Sequence, residues 1–274
     1  MIWEILLSSL VLSLILLIPL STKWEIPMRI AIPSSLVVGI LTGFIVTGMV
    51  AIFTFKFWQR LILELFLILG ISASLLLWRF FRDPERIPPE GQNAILSPAD
   101  GKVIYVKRIE KGTILYSEKK GRKFSLDDFT QTDVLPTEGH LIGIAMNFLN
   151  VHVNRSPLDG KVSIIRHIKG KFISLKRKDA MIQNERALTV IDNGDFKIGV
   201  VQIASRLVRK IVLYLGEGSE IRRGERMGMI RFGSQVDLIL PNLPSVSIEV
   251  NPGEEVKAGL SIVAKIAEIK EGRG

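Results

Sequence analysis

The chain has 274 residues, enough for one sizeable domain beside a membrane region, and its lack of cysteine excludes disulfides and thiolate metal sites. A net charge of +9 points to nucleic acid or anionic lipid as a partner. Hydrophobic residues make up 47% and mean hydropathy is +0.32, with the excess in the first third, so a membrane-embedded start favours lipid; no recognition motif supports nucleic acid.

Ile5 to Thr22 carries no charge, and neither does Ile30 to Phe55, which is long enough to span a bilayer core. Leu61 to Phe81 is apolar apart from Glu64 and Arg79. Residues 1–82 are therefore predicted to form a transmembrane region of two to three spans. A cleaved leader is the alternative for the first, but it begins with Glu4 in place of a positive charge and has no clear small-residue cleavage site. Lys23 with Arg29 and Lys56 with Arg60 split the positive-inside rule; Arg79, Arg82 and Arg86 after the last span favour a cytoplasmic C-terminal domain at the plasma membrane. Trp58 and Trp78 fit interfacial anchors, and Glu64 reads as a carboxylate near the interface, one helical turn from Arg60.

From Asp83 onward the pattern changes. Pro84, Pro88 and Pro89 mark an extended linker. Strand-like runs follow at Val103–Ile109, Leu141–Met146, Ile198–Ile203, Ile211–Leu215 and Val236–Leu240, and Val246 to Val250 alternates as a half-buried strand. Leu175 to Arg186 reads as a short helix or a mobile loop. Residues 83–274 are thus predicted to be a mostly β domain, barrel-sandwich-hybrid-like, with minor helix. Ser97-Pro98-Ala99-Asp100-Gly101-Lys102-Val103 and Ser156-Pro157-Leu158-Asp159-Gly160-Lys161-Val162 share one pattern. They are either an internal pseudo-repeat or two uses of the same turn chemistry, and the pattern does not choose between Asp100 and Asp159. Val250 to Gly259 resembles the hairpins of biotinyl and lipoyl carriers, but no modifiable lysine between methionines is present.

The three histidines, His140, His152 and His167, match no compact metal motif, so no metal is expected. His140 reads as a turn or surface residue and His167 as exposed. His152 sits between Val151 and Val153 in a strand-like context, with Asn150 and Asn154 placed to orient it. Ser234 follows Gly233, and glycine reaches the backbone conformations that let a hydroxyl approach the preceding carbonyl. Such an attack needs a base and a carboxylate to orient it, roles that His152 and Asp100 can fill.

FFRDPER at 80–86, SPADGKV at 97–103, NVHVNR at 150–155, Asn184-Glu185-Arg186, Gln202-Ile203-Ala204, Arg209-Lys210 and Met229-Ile230-Arg231-Phe232-Gly233-Ser234 occur in the order seen in short-form phosphatidylserine decarboxylase proenzymes. From Phe80 to the C-terminus the chain resembles that family, including its archaetidylserine relatives. The resemblance implies that Asp100, His152 and Ser234 form a self-processing triad. Cleavage between Gly233 and Ser234 would give chains 1–233 and 234–274, a heterodimer of β and α chains from one precursor. Ser234 would become a covalent pyruvoyl cofactor, which forms a Schiff base with the substrate amine and serves decarboxylation of a phosphatidylserine-type lipid to phosphatidylethanolamine. Long-form relatives carry a second histidine where this chain has Leu149, and threonine where it has Gln235, so His152 is the best remaining proton donor. Lys169, Lys171, Lys176, Arg177 and Lys178, with Phe172, Ile173 and Leu175, suggest a membrane-contacting basic loop. A carrier or adaptor domain, or a serine hydrolase that keeps Ser234 intact, are the competing readings.

Overall fold

A computed structural model describes residues 2–24, 26–91, 93–117, 122–175, 177, 180–205, 210–231 and 234–267, with the side chains of 115–117, 122–123 and 234 outside that description. The residues form two compact units. One comprises the chain up to Arg82 together with Asn147–Leu149; the other comprises Asp83–Met146 and the chain from Asn150 onward.

The first unit holds α1 (Ile2–Lys23), α2 (Met28–Ile52) and α3 (Phe57–Phe81), three helices long and apolar enough to cross a membrane by length and composition. Lipid offers no hydrophobic drive for helices to associate, so close approach of small residues and hydrogen bonds must supply it. The buried face of α1 is Ile5, Ser9, Ser13, Leu17 and Ser21, at a spacing of four. It meets Ala31, Ser35, Gly39 and Gly43 of α2, and the Ser13 hydroxyl donates to the Ser35 carbonyl at 2.9 Å. A Cβ at Gly39 would lie 2.9 Å from the Leu10 Cα, so the backbones touch there. Glu64 is buried on α3, where it accepts from Ser8 (3.0 Å) and lies 3.6 Å from Arg60 Nε.

Among its described residues the second unit contains sixteen strands: β1 (Ala94–Leu96), β2 (Gly101–Glu110), β3 (Thr113–Ser117), β4 (Arg122–Ser125), β5 (Gly139–Met146), β6 (Val153–Arg155), β7 (Gly160–Ile168), β8 (Arg186–Asp192), β9 (Lys197–Ala204), β10 (Ile211–Leu213), β11 (Glu220–Ile221), β12 (Arg226–Ile230), β13 (Ser234–Pro241), β14 (Val246–Ile248), β15 (Glu255–Val256) and β16 (Ile262–Ile266). Ten of them form one curled sheet, ordered β11-β7-β8-β9-β13-β5-β2-β3-β4 with β15 also on β2. Two three-stranded sheets, β1-β16-β14 and β10-β12-β6, complete the unit. The helices α4 (Leu126–Thr130) and α5 (Ala180–Gln183) are minor, as expected of a mostly β domain. Strand β13 lies between β5 and β9 and is covered on both faces. Val236, Leu238 and Leu240 face one core, and Ile239 faces the other with Leu141, Val201 and Phe129.

The structure decides in favour of an internal pseudo-repeat. Ser97 Oγ donates to the Ala99 carbonyl at 2.7 Å, and Ser156 Oγ to the Leu158 carbonyl at the same distance. Leu96 N bonds Pro157 O (2.9 Å) and Arg155 N bonds Pro98 O (3.0 Å), a reciprocal exchange between the two copies. Each copy also holds its own second hairpin. Val103 N bonds Glu254 O and Val162 N bonds Ser219 O, both at 2.9 Å. Asp100 Oδ1 accepts from Ala258 N and Asp159 Oδ1 from Arg223 N, both at 2.8 Å. The second hairpins match in sequence as well, Gly218-Ser219-Glu220-Ile221-Arg222-Arg223-Gly224 against Gly253-Glu254-Glu255-Val256-Lys257-Ala258-Gly259.

Some local expectations change. His140 is not a turn residue: it lies half-buried in β5, opposite Leu240, and burial lowers its pKa. Strand β8, buried on both faces, shows no alternation that would flag it. Of the Val246–Val250 alternation only Val246–Ile248 is strand.

Candidate active site

The extended linker is fastened to the β unit by charge. Arg86 makes a two-pronged ion pair with Asp100, Nη1 to Oδ1 at 2.5 Å and Nη2 to Oδ2 at 2.9 Å, and also donates to the Ala258 carbonyl at 2.7 Å. Asp83 bridges Arg155 Nη2 (3.1 Å) and Arg226, and Glu85 takes Arg226 Nη2 at 2.6 Å. The acids and the last arginine of FFRDPER therefore bind side chains of SPADGKV, of NVHVNR and of the strand leading to Ser234. Short-range sequence patterns do not show that pairing.

Asp100 is buried, whereas its repeat partner Asp159 is exposed. Besides Arg86 and Ala258 N, Asp100 Oδ2 accepts from Val151 N at 3.4 Å, which braces the turn carrying His152. His152 is fully buried. Its Nδ1 lies 2.9 Å from the Asn150 carbonyl. A carbonyl only accepts, so Nδ1 carries the proton and the lone pair lies on Nε2. The backbone of Asn150, not the Asp100 carboxylate, thus fixes the tautomer. Burial drives the imidazole pKa from 6.5 down to about 4, against the opposing pull of the Asn150 carbonyl and of the Asp100 charge. His152 is neutral at physiological pH.

Asn154, the other residue expected to orient His152, turns elsewhere. Its Nδ2 donates to the Pro98 carbonyl (3.3 Å) and its Oδ1 accepts from Gln202 Nε2 (2.8 Å). Gln202 is buried in β9 opposite Val236, and its Oε1 has no partner among the described residues. His152 connects to the strand before Ser234: Ile230 N donates to the His152 carbonyl at 3.3 Å, and Met229 pairs with Val153. Ser234 follows Ile230 by four residues, roughly 14 Å of extended chain at most. Gly233 lies outside the described residues and Ser234 is described in its backbone alone; that backbone opens β13 opposite Met146 and Ala204.

Behind β13 lies a buried polar cluster that sequence reasoning did not single out. Tyr105 donates to Asp237 Oδ2 at 2.7 Å, and Gln235 Nε2 donates to Asp237 Oδ1 (2.7 Å) and to Tyr105 Oη (2.6 Å). Burial pushes the Asp237 carboxyl up to about 7 although both bonds favour its ionised form, and burial with the Asp237 charge pushes Tyr105 well above its usual range. Polar residues at two alternate positions of an otherwise apolar strand were the available signal. Asn184 ties the same region together, donating to Ala204 O and Ile173 O and accepting from Ile173 N, each at 2.9 Å. Arg186 reaches the Asp128 and Phe129 carbonyls of α4.

Lys169, Lys171 and Arg177 are exposed, but Phe172 and Leu175 pack inward against the two cores and Ile173 is held by Asn184. Lys176, Lys178 and Arg209 lie outside the described residues. Leu149 packs with the helical unit, where its carbonyl accepts from Arg82 at 3.2 Å.

Residues 74–264 match the family model described as phosphatidylserine decarboxylase. A relative assigned as archaetidylserine decarboxylase proenzyme in Methanothermobacter thermautotrophicus is 39% identical over 198 residues, covering 72% of this chain and 84% of the relative. A second protein so assigned, from Methanocaldococcus jannaschii, is 40% identical over 194 residues, 70% of this chain and 91% of its own. The phosphatidylserine decarboxylase proenzyme of Pelodictyon phaeoclathratiforme is 36% identical over 211 residues, 77% of this chain and 87% of its own. With most of the β unit and the segment holding Asp100, His152 and Ser234 inside the match, the chain belongs to the phosphatidylserine decarboxylase family, decarboxylases made as proenzymes.

Proposed function

We propose that this chain cuts itself between Gly233 and Ser234, converts Ser234 to a pyruvoyl group, and then decarboxylates the serine headgroup of a membrane phospholipid. The observation that carries the reading is His152: buried, neutral, with its lone pair on Nε2 and its backbone bonded to the strand that leads to Ser234.

In the first step His152 Nε2 takes the Ser234 hydroxyl proton as the oxygen attacks the Gly233 carbonyl. The peptide bond becomes an ester and the Ser234 amine is freed. Loss of the Ser234 Cα proton expels the Gly233 carboxylate, leaving dehydroalanine. Its tautomer takes up water and releases ammonia, leaving the ketone. Asp100 acts here as a positioning residue, through Val151 N and through its charge on His152.

The residues present fit such a group. Strand β13 is bonded on both edges, so the new chain start stays seated in the sheet after the cut. The pyruvoyl group supplies a carbonyl that captures the substrate amine and an electron sink for the pair left behind by CO2. His152 Nε2, which can take up the proton that the incoming substrate ammonium sheds, is the group assigned to return a proton to that carbon. The α chain would carry β13 to β16 and the Ala258 amide that holds Asp100, so the two products would remain a heterodimer.

Lys23, Arg29, Arg79 and Arg82 gather at one end of the three helices, and Lys56 and Arg60 at the other. That balance supports a cytoplasmic β unit at the cell membrane. The test is turnover. The purified full chain should convert vesicles of serine phospholipid to the ethanolamine phospholipid with release of CO2, and Ser234→Ala should not. Turnover by Ser234→Ala would sink the reading.

A further inference from the structure

The helical unit carries a half-open, largely apolar cavity of about 660 Å³, within the size range of ligand sites. Its wall is built from the end of α1 (Leu17) and the turn after it (Trp24), the start of α2 (Ala31), the end of α3 (Ala73, Arg79) and Leu149. Three observations bear on its occupant. Arg79 has no hydrogen-bond or ion-pair partner among the described residues, so a guanidinium with unfilled donors stands in an otherwise greasy wall. The hydroxyl of Ser72, also in the wall, is buried with no partner among the described residues. The third is the place of Leu149. Residues Asn147–Leu149 are fixed on the helices, with the Phe148 ring 5.5 Å from that of Trp24 and the Leu149 carbonyl on Arg82. From Leu149 the chain reaches His152 in three residues, roughly 10 Å at most.

An apolar slot, a cation and a hydroxyl donor fit an amphiphile with an anionic group, a polar linkage and a hydrocarbon tail. We propose that this cavity holds one hydrocarbon chain of the serine phospholipid substrate, with the lipid phosphate at Arg79 and a glycerol-linkage oxygen at Ser72. An ester carbonyl and an ether oxygen both accept from a hydroxyl, so the site takes either linkage. Ordinary bilayer lipid has its own surface, where Val37, Phe44 and Phe66 are exposed. The inference rests on the proposed function for the identity of the lipid, not for the presence of a lipid site.

The test uses the full-length Ser234→Ala chain in nanodiscs of choline phospholipid doped with a serine phospholipid bearing a diazirine in mid-chain. After illumination, mass spectrometry should place label on the cavity wall, including Leu17 and Leu149. Unlabelled serine phospholipid should reduce that label several-fold, and extra choline phospholipid should not. Ala73→Phe, which fills an open position of the wall, should remove it, Arg79→Gln should weaken the competition, and Phe66→Ala on the outer face should change nothing. Label confined to Val37, Phe44 and Phe66 would overturn the proposal, and so would cavity label displaced equally by choline phospholipid, the mark of an ordinary bilayer lipid. Because this chain never processes, the result is independent of self-cleavage. Failure to cut in the wild type would remove the catalytic reading and leave the labelling standing.

Discussion

His152 is the residue on which the proposed chemistry turns, and its properties come from its surroundings more than from its neighbours in sequence. The Asn150 carbonyl holds Nδ1 and burial keeps the ring neutral with a pKa of about 4. The sign of the linked stability follows. The unfolded chain protonates near 6.5 while the folded chain resists until about 4, so the folded state is stabilised above 6.5 and loses stability as pH falls from 6.5 toward 4. The full span corresponds to roughly 3 kcal/mol. Denaturant midpoints of the Ser234→Ala chain, measured between pH 7 and pH 4.5, should fall with a slope that His152→Gln in the same background flattens. An unchanged slope would mean that His152 is not buried neutral. The sequence marked this histidine by its flanking valines and its motif. It suggested Asn150 as the orienting residue but could not show that the backbone carbonyl does the work, because backbone geometry leaves no trace in residue identity. Asp237 was illegible for a different reason: a buried carboxyl reads as an exposed one until its strand is seen to be covered on both faces.

The elements with the clearest sequence signatures were those whose environment is uniform along their length. The three helices stand out because lipid demands an unbroken apolar run. Strands β5, β9 and β13 stand out by apolar content, whereas β7, with three basic or imidazole side chains at 161, 166 and 167, does not. The two Ser-Pro-x-Asp-Gly-Lys-Val turns were legible as similar, but their nesting with two later hairpins depends on pairings more than 50 residues apart in sequence. That nesting gives one repeat position two fates. Asp100 is buried under Arg86, and Asp159 is in solvent. Removing Arg86 would strand a buried carboxylate, a change that typically costs about 3 to 5 kcal/mol. Arg86→Gln should therefore lower the unfolding free energy of the Ser234→Ala chain by about that amount and slow processing of the otherwise wild-type chain. Asp159→Asn, at the equivalent turn, should shift stability by under roughly 1 kcal/mol, since the amide oxygen can still accept from Arg223 N. Equal effects at the two positions would show that the Arg86 pair does not matter.

For the molecule as a whole, the proposed cut before the central strand raises the question of whether its two products would stay together. Strand β13 lies between β5 and β9, β15 pairs with β2, β16 pairs with β1, and Ala258 N holds Asp100. Every one of those contacts joins residues before Gly233 to residues after it. The proposed cut would leave those shared sheets in place and create a new chain start inside a finished fold. The measurement that bears most directly on this account is the denatured intact mass of the purified full-length protein, with Ser234→Ala beside it. The account predicts two chains from the wild type, 1–233 and 234–274, the smaller carrying a ketone in place of its amino terminus, and one uncut chain from Ser234→Ala. A single unmodified wild-type chain in a folded, active decarboxylase would contradict it.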